Sequence, residues 1–304
     1  LVFNRSDNLT QNGLISGTGT LTQQGSGTLT LTANNTYSGT NTIANGVLVL
    51  TNDAPNPTNK TFGGTGQLHI EPAGTSFTSG FLTSAWTLGS SLSGLTLGKD
   101  GNTANITVDS ATSIAGPIAV YGGNIAINSS LTSTGTASNA SITLKGSGNV
   151  TDGASGYVQS GSDGNGSLQL LGGNVTLDNS TSNNVGTLAA SGVSGLTYLD
   201  KAGLTIGTVG STQGVSATGV VNIGTQLGSL NIAQKVVTTN ASSTALTLNA
   251  SMGSAIGADT GSNLLVSGTP TISVGSGGLA RLFTGGITGS SDLASLSGLG
   301  AGSG

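Results

Sequence analysis

Cysteine is absent from this 304-residue sequence, and histidine and tryptophan occur once each. Without cysteine the chain has no disulfide, no thiolate nucleophile and no Cys-ligated metal. Charged residues make up only 6% of the chain, whereas they are about 25% of an average protein. The seven basic residues are scattered singly, so no patch is available for a phosphate backbone. No apolar run approaches the roughly 18 residues that cross a bilayer. The sequence therefore predicts no nucleic-acid partner and no membrane span.

Glycine, by contrast, is abundant, with 53 of 304 residues. This content is compatible with disorder, but disordered chains usually combine low hydrophobicity with high net charge. Here the net charge is −4 and the hydrophobic fraction is 35%, and the apolar residues gather in short clusters. A chain that stacks on itself can bury such clusters, so we expect an ordered protein.

Short apolar-alternating segments recur along the chain, most of them followed within two residues by Gly, Asn, Ser or Asp, which is the pattern of strands and turns. They include TLTLT (28–32), VLVL (47–50), QLHI (67–70), NITV (105–108), NIAI (124–127), SITL (141–144), NVTL (174–177), GLTI (203–206), VVNI (220–223) and ALTL (245–248). No helical periodicity extends beyond two turns.

The spacing of these segments separates the possible architectures. It is 17–20 residues over the intervals Leu29–Leu48, Leu48–Leu68, Ile106–Ile125, Ile125–Ile142 and Leu204–Val221. A β-sandwich would show turn signals about every 8–12 residues, whereas a parallel β-helix advances one coil in roughly 20. We predict an all-β fold, a parallel β-helix (β-solenoid) with about 20 residues per coil, in one continuous domain over 1–304. Its length would be on the order of 15 layers, with Leu, Ile and Val pointing inward and Thr, Ser and Asn outward.

Two stretches resemble known bacterial exoproteins. Residues 16–52, SGTGTLTQQGSGTLTLTANNTYSGTNTIANGVLVLTN, resemble the autotransporter-associated β-strand repeat. From about residue 140 the chain is similar to filamentous-haemagglutinin-like proteins of two-partner secretion, in the segments 142–153, 175–209, 219–233 and 270–296. This resemblance divides the solenoid into a β-strand-repeat section (1–52), irregular coils with loops (53–139), haemagglutinin-like coils (140–296) and a Gly/Ser-rich end (297–304).

The resemblance implies a right-handed parallel β-helix passenger, exported unfolded through an outer-membrane transporter. Members of these families are adhesins, haemagglutinins and matrix or fibre components of the cell surface. The sequence departs from a complete member because it shows no signal, no secretion-recognition domain and no anchoring barrel, so its attachment to the cell is open.

Catalytic, cofactor and metal sites are not indicated by the sequence. The ten aspartates are dispersed, with no D-D, D-x-D or D-x-x-D pattern, whereas polysaccharide cleavage requires clustered carboxylates. His69 has no second histidine with which to bind a metal, although alternation places it outward beside Glu71. The segment SDGNGS (162–167) is interpreted as a Gly-rich corner rather than a calcium loop. Thr-x-Thr pairs, as in TLTLT, are interpreted as a solvated face rather than an ice-binding ladder.

Trp86 is the candidate ligand-binding residue, since an exposed indole could stack on a sugar ring; packing in the core is the alternative. The leading functional hypothesis is a rigid, non-catalytic β-helical stalk or fibre segment for adhesion or an extracellular matrix, including biofilm. Its partners would be further copies, end to end or laterally, or the glycans of host or neighbouring cells. The alternatives are a glycan-binding module with contacts from loops 51–66 or 72–93, and a polysaccharide-degrading enzyme.

Overall fold

The computed structural model describes residues 1–51, 60–250, 252–253, 262–286 and 289–290. Within them the chain is built from short strands and contains no α-helix, only a single 3₁₀ turn at Thr83–Ala85. In chain order the strands are β1 (Val2–Phe3), β2 (Leu9–Gln11), β3 (Leu21–Gln23), β4 (Thr28–Leu31), β5 (Asn41–Ile43), β6 (Val47–Thr51), β7 (Lys60–Gly64), β8 (Gln67–Glu71), β9 (Phe81–Leu82), β10 (Trp86–Leu88), β11 (Gly94–Leu97), β12 (Ile106–Val108), β13 (Thr112–Ile114), β14 (Ile118–Gly122), β15 (Ile125–Ile127), β16 (Ser130–Ser133), β17 (Ser141–Gly146), β18 (Asn149–Asp152), β19 (Tyr157–Ser160), β20 (Ser167–Leu171), β21 (Asn174–Leu177), β22 (Thr187–Val193), β23 (Gly195–Asp200), β24 (Leu204–Ile206), β25 (Thr208–Val209), β26 (Thr212–Gln213), β27 (Val215–Ala217), β28 (Val221–Thr225), β29 (Leu230–Ile232), β30 (Val236–Thr238), β31 (Leu246–Ala250), β32 (Leu264–Val266), β33 (Ile272–Ser273) and β34 (Ala280–Phe283).

Apart from β25 and β26, these strands pair in parallel, stacked on strands of neighbouring coils. The long sheet runs β2-β4-β6-β8-β11-β14-β17-β20-β22-β24-β29-β32, with β27, β30 and β33 beside its later strands. The second sheet runs from β9 through β12, β15, β18, β21, β23, β28 and β31 to β34. Further faces are formed by β1-β3-β5-β7-β10 and by β13-β16-β19. The all-β parallel solenoid predicted from the sequence is confirmed.

Each coil is longer than predicted, with about 24 residues per turn and about 10 turns. The predicted coil length was too short because the 17-residue intervals were measured between strands that lie on different faces. Leu204 pairs with Leu230 in the long sheet, whereas Val221 pairs with Leu196 in the second sheet. Leu68 pairs directly with Leu95, so the wider gap between them is a single enlarged coil. At the spacing of about 4.8 Å between strands, 10 turns extend about 50 Å.

The register places apolar side chains directly above one another. One column of the long sheet consists of Leu29, Leu48, Leu68, Leu95, Ile118, Ile142, Leu168 and Leu188. All eight are buried, at 0–2% exposure, and belong to one hydrophobic cluster. Because strand side chains alternate between faces, a slip of one residue would expose the whole column to water. The aliphatic stack therefore fixes the register of the coils.

Asparagine side chains link successive coils at the corner before the second sheet. The Oδ1 atom of Asn105 accepts a hydrogen bond from the Asn124 amide at 2.9 Å, and the Oδ1 atom of Asn124 accepts one from the Asn149 amide at 2.8 Å. Glycine is required where the backbone turns tightly. Gly46 has φ 65°, and a Cβ there would lie 2.3 Å from the Gly27 carbonyl oxygen. These corners satisfy backbone groups that the strands leave unpaired.

Two adjacent residues of β21 test whether inward-facing side chains stabilise the solenoid more than outward-facing ones. Leu177 is fully buried, whereas Thr176 faces outward and is half-buried. We expect Leu177→Ala to lower the free energy of unfolding by about 2–5 kcal/mol, because it removes buried methyl groups and leaves a cavity. The matched variant Thr176→Ala should change it by less than about 1 kcal/mol. Urea unfolding followed by circular dichroism measures both, and equal effects would contradict the assigned inward and outward faces.

Candidate functional site

Trp86, the residue considered for ligand stacking, lies in an aromatic cluster. Its ring packs edge-to-face against Phe62 at 5.6 Å and Phe81 at 4.8 Å between centroids, and Phe81 stacks on Phe77 at 6.1 Å. Only 7% of Trp86 is exposed. Phe77, Phe81 and Trp86 belong to the enlarged coil between Leu68 and Leu95, and Phe62 lies in β7, which pairs with the strand of Trp86. This burial supports the packing alternative, and the ligand role remains a prediction. Of the loops considered for glycan contacts, 52–59 lies outside the described residues.

Two carboxyl groups act electrostatically on the buried Tyr198: that of Asp200, which is buried, and that of Asp152, which is half-buried. Neither was singled out from the sequence. Asp200 is fully buried, and its carboxylate accepts hydrogen bonds from the Tyr198 hydroxyl at 2.7 Å and from the amides of Val185 and Ala202. Burial raises its pKa from 3.8 to about 6. Burial also raises the pKa of Asp152, whose carboxylate accepts a hydrogen bond from Asn183 at 2.8 Å. The alternation in GLTYLD (195–200) was the available signal, because it places Tyr198 and Asp200 on the inward face with Leu196.

The contacts of Asp200 point to a structural role for this residue. Asp200 is closed to solvent, and its oxygens are engaged by donors of the chain itself. A general acid or nucleophile must contact its substrate, which Asp200 does not permit in this conformation. Among the described residues, no three His, Cys, Asp or Glu side chains come together as a metal site. Asp200 therefore supports the turns at Val185 and Ala202.

His69 and Glu71 lie side by side on the outer face of β8, as the alternation predicted. His69 Nδ1 is 3.4 Å from Glu71 Oε1, and both side chains are partly exposed. The flanking Leu68 and Ile70 are buried. The segment SDGNGS (162–167) forms the corner between β19 and β20, with Gly164 at φ 72°. Asp163 is exposed there, which favours the interpretation as a glycine-rich corner.

Threonine occupies most positions of one outward column on the second sheet. The two parallel columns that a Thr-x-Thr ladder would need are not formed by the TLTLT segment. The positions of the outward column in successive coils are Thr107, Ala126, Thr151, Thr176, Thr197, Asn222 and Thr247. In the long sheet, Thr28 and Thr30 of the TLTLT segment are followed in the next coil by Val47 and Val49. The paired threonines are therefore not repeated along the solenoid, which favours a solvated face.

Replacing Trp86 separates a core role from a binding role. We expect Trp86→Ala to lower the free energy of unfolding by about 3–5 kcal/mol, because it removes a large ring packed against Phe62 and Phe81. The control Tyr157→Ala changes a half-buried tyrosine on an outward position of β19 and should lower the free energy of unfolding by less than Trp86→Ala does. Thermal unfolding measures both. An unchanged midpoint for Trp86→Ala would contradict the packing role.

Asp200 predicts a pH dependence of stability. Its pKa is about 6 in the native state, so the native state holds this proton more tightly than the unfolded chain. The contribution of Asp200 to the free energy of unfolding is fully present below about pH 4, and roughly 3 kcal/mol of it is lost as the pH rises through 6. Asp200→Asn should flatten the stability profile between pH 4 and 7, measured by urea unfolding.

Asp109 provides a control for which stability should change with pH in the opposite direction. Burial raises the pKa of Asp109, but hydrogen bonds from Ser84 and Thr83 outweigh burial and lower the pKa overall. Asp109→Asn should therefore remove stability that is present above about pH 4 and lost at lower pH. If the free energy of unfolding of Asp200→Asn depends on pH between 4 and 7 as steeply as that of the wild-type protein, the assignment of this pH dependence to Asp200 is contradicted.

The comparison with known protein families connects this fold to a secretion route. Residues 21–50 match the family model described as Passenger-associated-transport-repeat. The match lies within residues 16–52, for which the sequence predicted an autotransporter-type repeat, and it covers β3 to β6. No curated protein and no solved structure matches the chain.

The repeat indicates a secreted or cell-surface protein whose export involves an outer-membrane transporter. No helix within the described ranges has the length and apolar character needed to cross a membrane. The fold is consistent with a non-catalytic role. Together, the passenger-associated repeat and the parallel β-solenoid fit an autotransporter passenger-like β-helix protein.

Proposed function

We propose that this chain is a rigid, non-catalytic stalk or fibre segment of a bacterial surface protein, serving adhesion or an extracellular matrix. The observation that carries the proposal is the continuous apolar interior. One hydrophobic cluster extends from Leu21 in β3 to Ile272 in β33, and the long sheet links coils from β2 to β32. No break divides this interior into separately moving parts within the described coils.

Rigidity follows from how the coils are joined. Each interior strand of the long sheet pairs with a strand on either side, so bending the solenoid would strain rows of backbone hydrogen bonds along a whole face. Apolar columns inside oppose sliding, because a slipped register exposes them. A column of this kind holds whatever lies at its far end at a fixed distance from the cell. That property serves adhesion without an active site.

The surface chemistry is compatible with this role. Outward positions carry mostly Thr, Asn and Ser, and the ion pairs within the described residues are Arg5–Asp7, His69–Glu71 and Lys145–Asp100. Arg5 and Asp7 are more than half exposed, so this pair contributes little to stability. We infer that the fold depends on its interior and leaves the outer face to interact with partners. These would be further copies of the chain or cell-surface glycans.

Electron microscopy and an activity assay test the proposal together. We expect negatively stained protein to appear as uniform rods about 50 Å long, or as filaments whose long axis is the solenoid axis. Rods would identify a stalk segment, and filaments a self-assembling fibre. Incubation with polysaccharides should release no reducing ends and no unsaturated products above a heat-denatured control.

Release of such products by the native protein, at a level lost on heating, would contradict the non-catalytic role. Irregular particles without a rod axis would contradict the structural role. A second function, glycan binding, is favoured by one specific feature of the long sheet.

A further inference from the structure

A hairpin interrupts the parallel stacking at one point of the long sheet. The strand β22 pairs through Thr187 and Leu188 with β24, and through Ala190 and Val193 with β27. Between β24 and β27 the chain leaves the sheet as the antiparallel pair β25–β26. Gly207 and Gly214 close its base, because the Gly214 amide donates to the Gly207 carbonyl at 2.8 Å. The solenoid continues on both sides of this insertion.

The hairpin is held against the outer face of the sheet. Gln169, on an outward position of β20, donates its side-chain amide to the Val209 carbonyl at 3.2 Å and to the Thr212 hydroxyl at 2.8 Å. Val209 and Thr212 are buried at 7% and 9% exposure. Ala189 also occupies an outward position of β22, yet it is fully buried. An outward alanine leaves room for a covering segment, so this position is adapted to the hairpin.

A groove of about 470 Å³ opens beside the hairpin. Its lining is mostly polar and includes Ser211, Thr212, Gln213, Ser216 and the charged Lys235, with Leu171 as an apolar neighbour. Lys235 forms no ion pair with a described carboxylate and is exposed. The groove therefore combines hydroxyl and amide groups with the positively charged Lys235, in a protein whose net charge is −4.

We infer that this groove binds an acidic saccharide, in which a carboxylate or sulfate pairs with Lys235. Sugar hydroxyls both donate and accept hydrogen bonds, as do the serine and threonine hydroxyls and the Gln213 amide. Leu171 provides an apolar surface for the C–H face of a sugar ring. An ammonium group near these donors selects an anionic ligand over a neutral one of the same shape. The inference deepens the adhesive part of the proposed function and rests on it.

The position of the groove suits adhesion. It lies on the side of the column rather than at an end, so it stays open when coils continue in either direction. The hairpin that forms one wall contributes no strand to the stacked sheets, and it can vary without disturbing the core. A binding site of this kind needs only one enlarged coil.

Binding measurements with defined oligosaccharides test the inference. The probes are 3′-sialyllactose, lactose 3′-sulfate and unmodified lactose, titrated by calorimetry into the full chain. We expect either acidic probe to bind at least tenfold more tightly than lactose, and the tighter of the two to identify the anionic group. The affinity should fall between 50 and 300 mM NaCl, because salt screens an exposed charge pair.

Two variants examine the groove itself. Lys235→Gln should weaken binding of the acidic probe at least tenfold, and Ser216→Leu should abolish binding by filling the groove. The matched control is Lys201→Gln, which removes an exposed lysine that follows β23 and does not line the groove, and should leave affinity unchanged. Thermal unfolding midpoints confirm that each variant is folded.

Equal binding of all three probes, no binding of either acidic probe, or unchanged affinity in folded Lys235→Gln would overturn the inference. Tight binding of an acidic peptide such as hexaglutamate, at or above the affinity for the acidic sugars, would also overturn it. Any of these results with intact rods would leave the stalk role standing, whereas loss of the rods would count against the proposed function.

Discussion

The stacking of an aliphatic side chain on the equivalent side chain of the previous coil is the interaction on which the structure depends. A single coil of about 24 residues has too little apolar surface to remain folded alone. When Leu48 lies between Leu29 and Leu68, each side chain is shielded by its neighbours and the backbones are close enough to pair. The register and the hydrogen bonding therefore form together.

This dependence on vertical neighbours explains why the composition is unusual yet sufficient. The interior needs one aliphatic residue at each inward position, while outward positions need only β-compatible, hydrated side chains such as threonine. Disulfides add little to a chain in which every layer is already held from both sides. Insertions are tolerated at the ends of strands, as in the aromatic coil around Trp86 and the hairpin beside β22. Variation therefore collects in places where it does not interrupt a column.

Alternation in the sequence was enough to predict many strands of the two largest sheets and which of their residues point inward, as at Leu68 and Ile70. It did not reveal shorter strands of the other faces, such as β3, β5 and β13. It was not enough to predict the coil length, because alternation does not say which face a strand joins; Leu204 and Val221 look equivalent but lie on different sheets. Nor did it predict the hairpin, whose two-residue strands are too short to show a period. The burial of Trp86 and Asp200 depends on partners distant in sequence, such as Phe62 and Val185.

The same division between columns and insertions separates stability from recognition. A substitution on an inward position disturbs the coils above and below, so core residues are tied to many partners at once. A substitution at an exposed groove residue such as Ser211 or Gln213 faces solvent and lies outside the apolar columns. A surface protein built this way can alter its ligand contacts while keeping its rigid support. The recognition chemistry of this solenoid is therefore to be sought where the parallel stacking is interrupted.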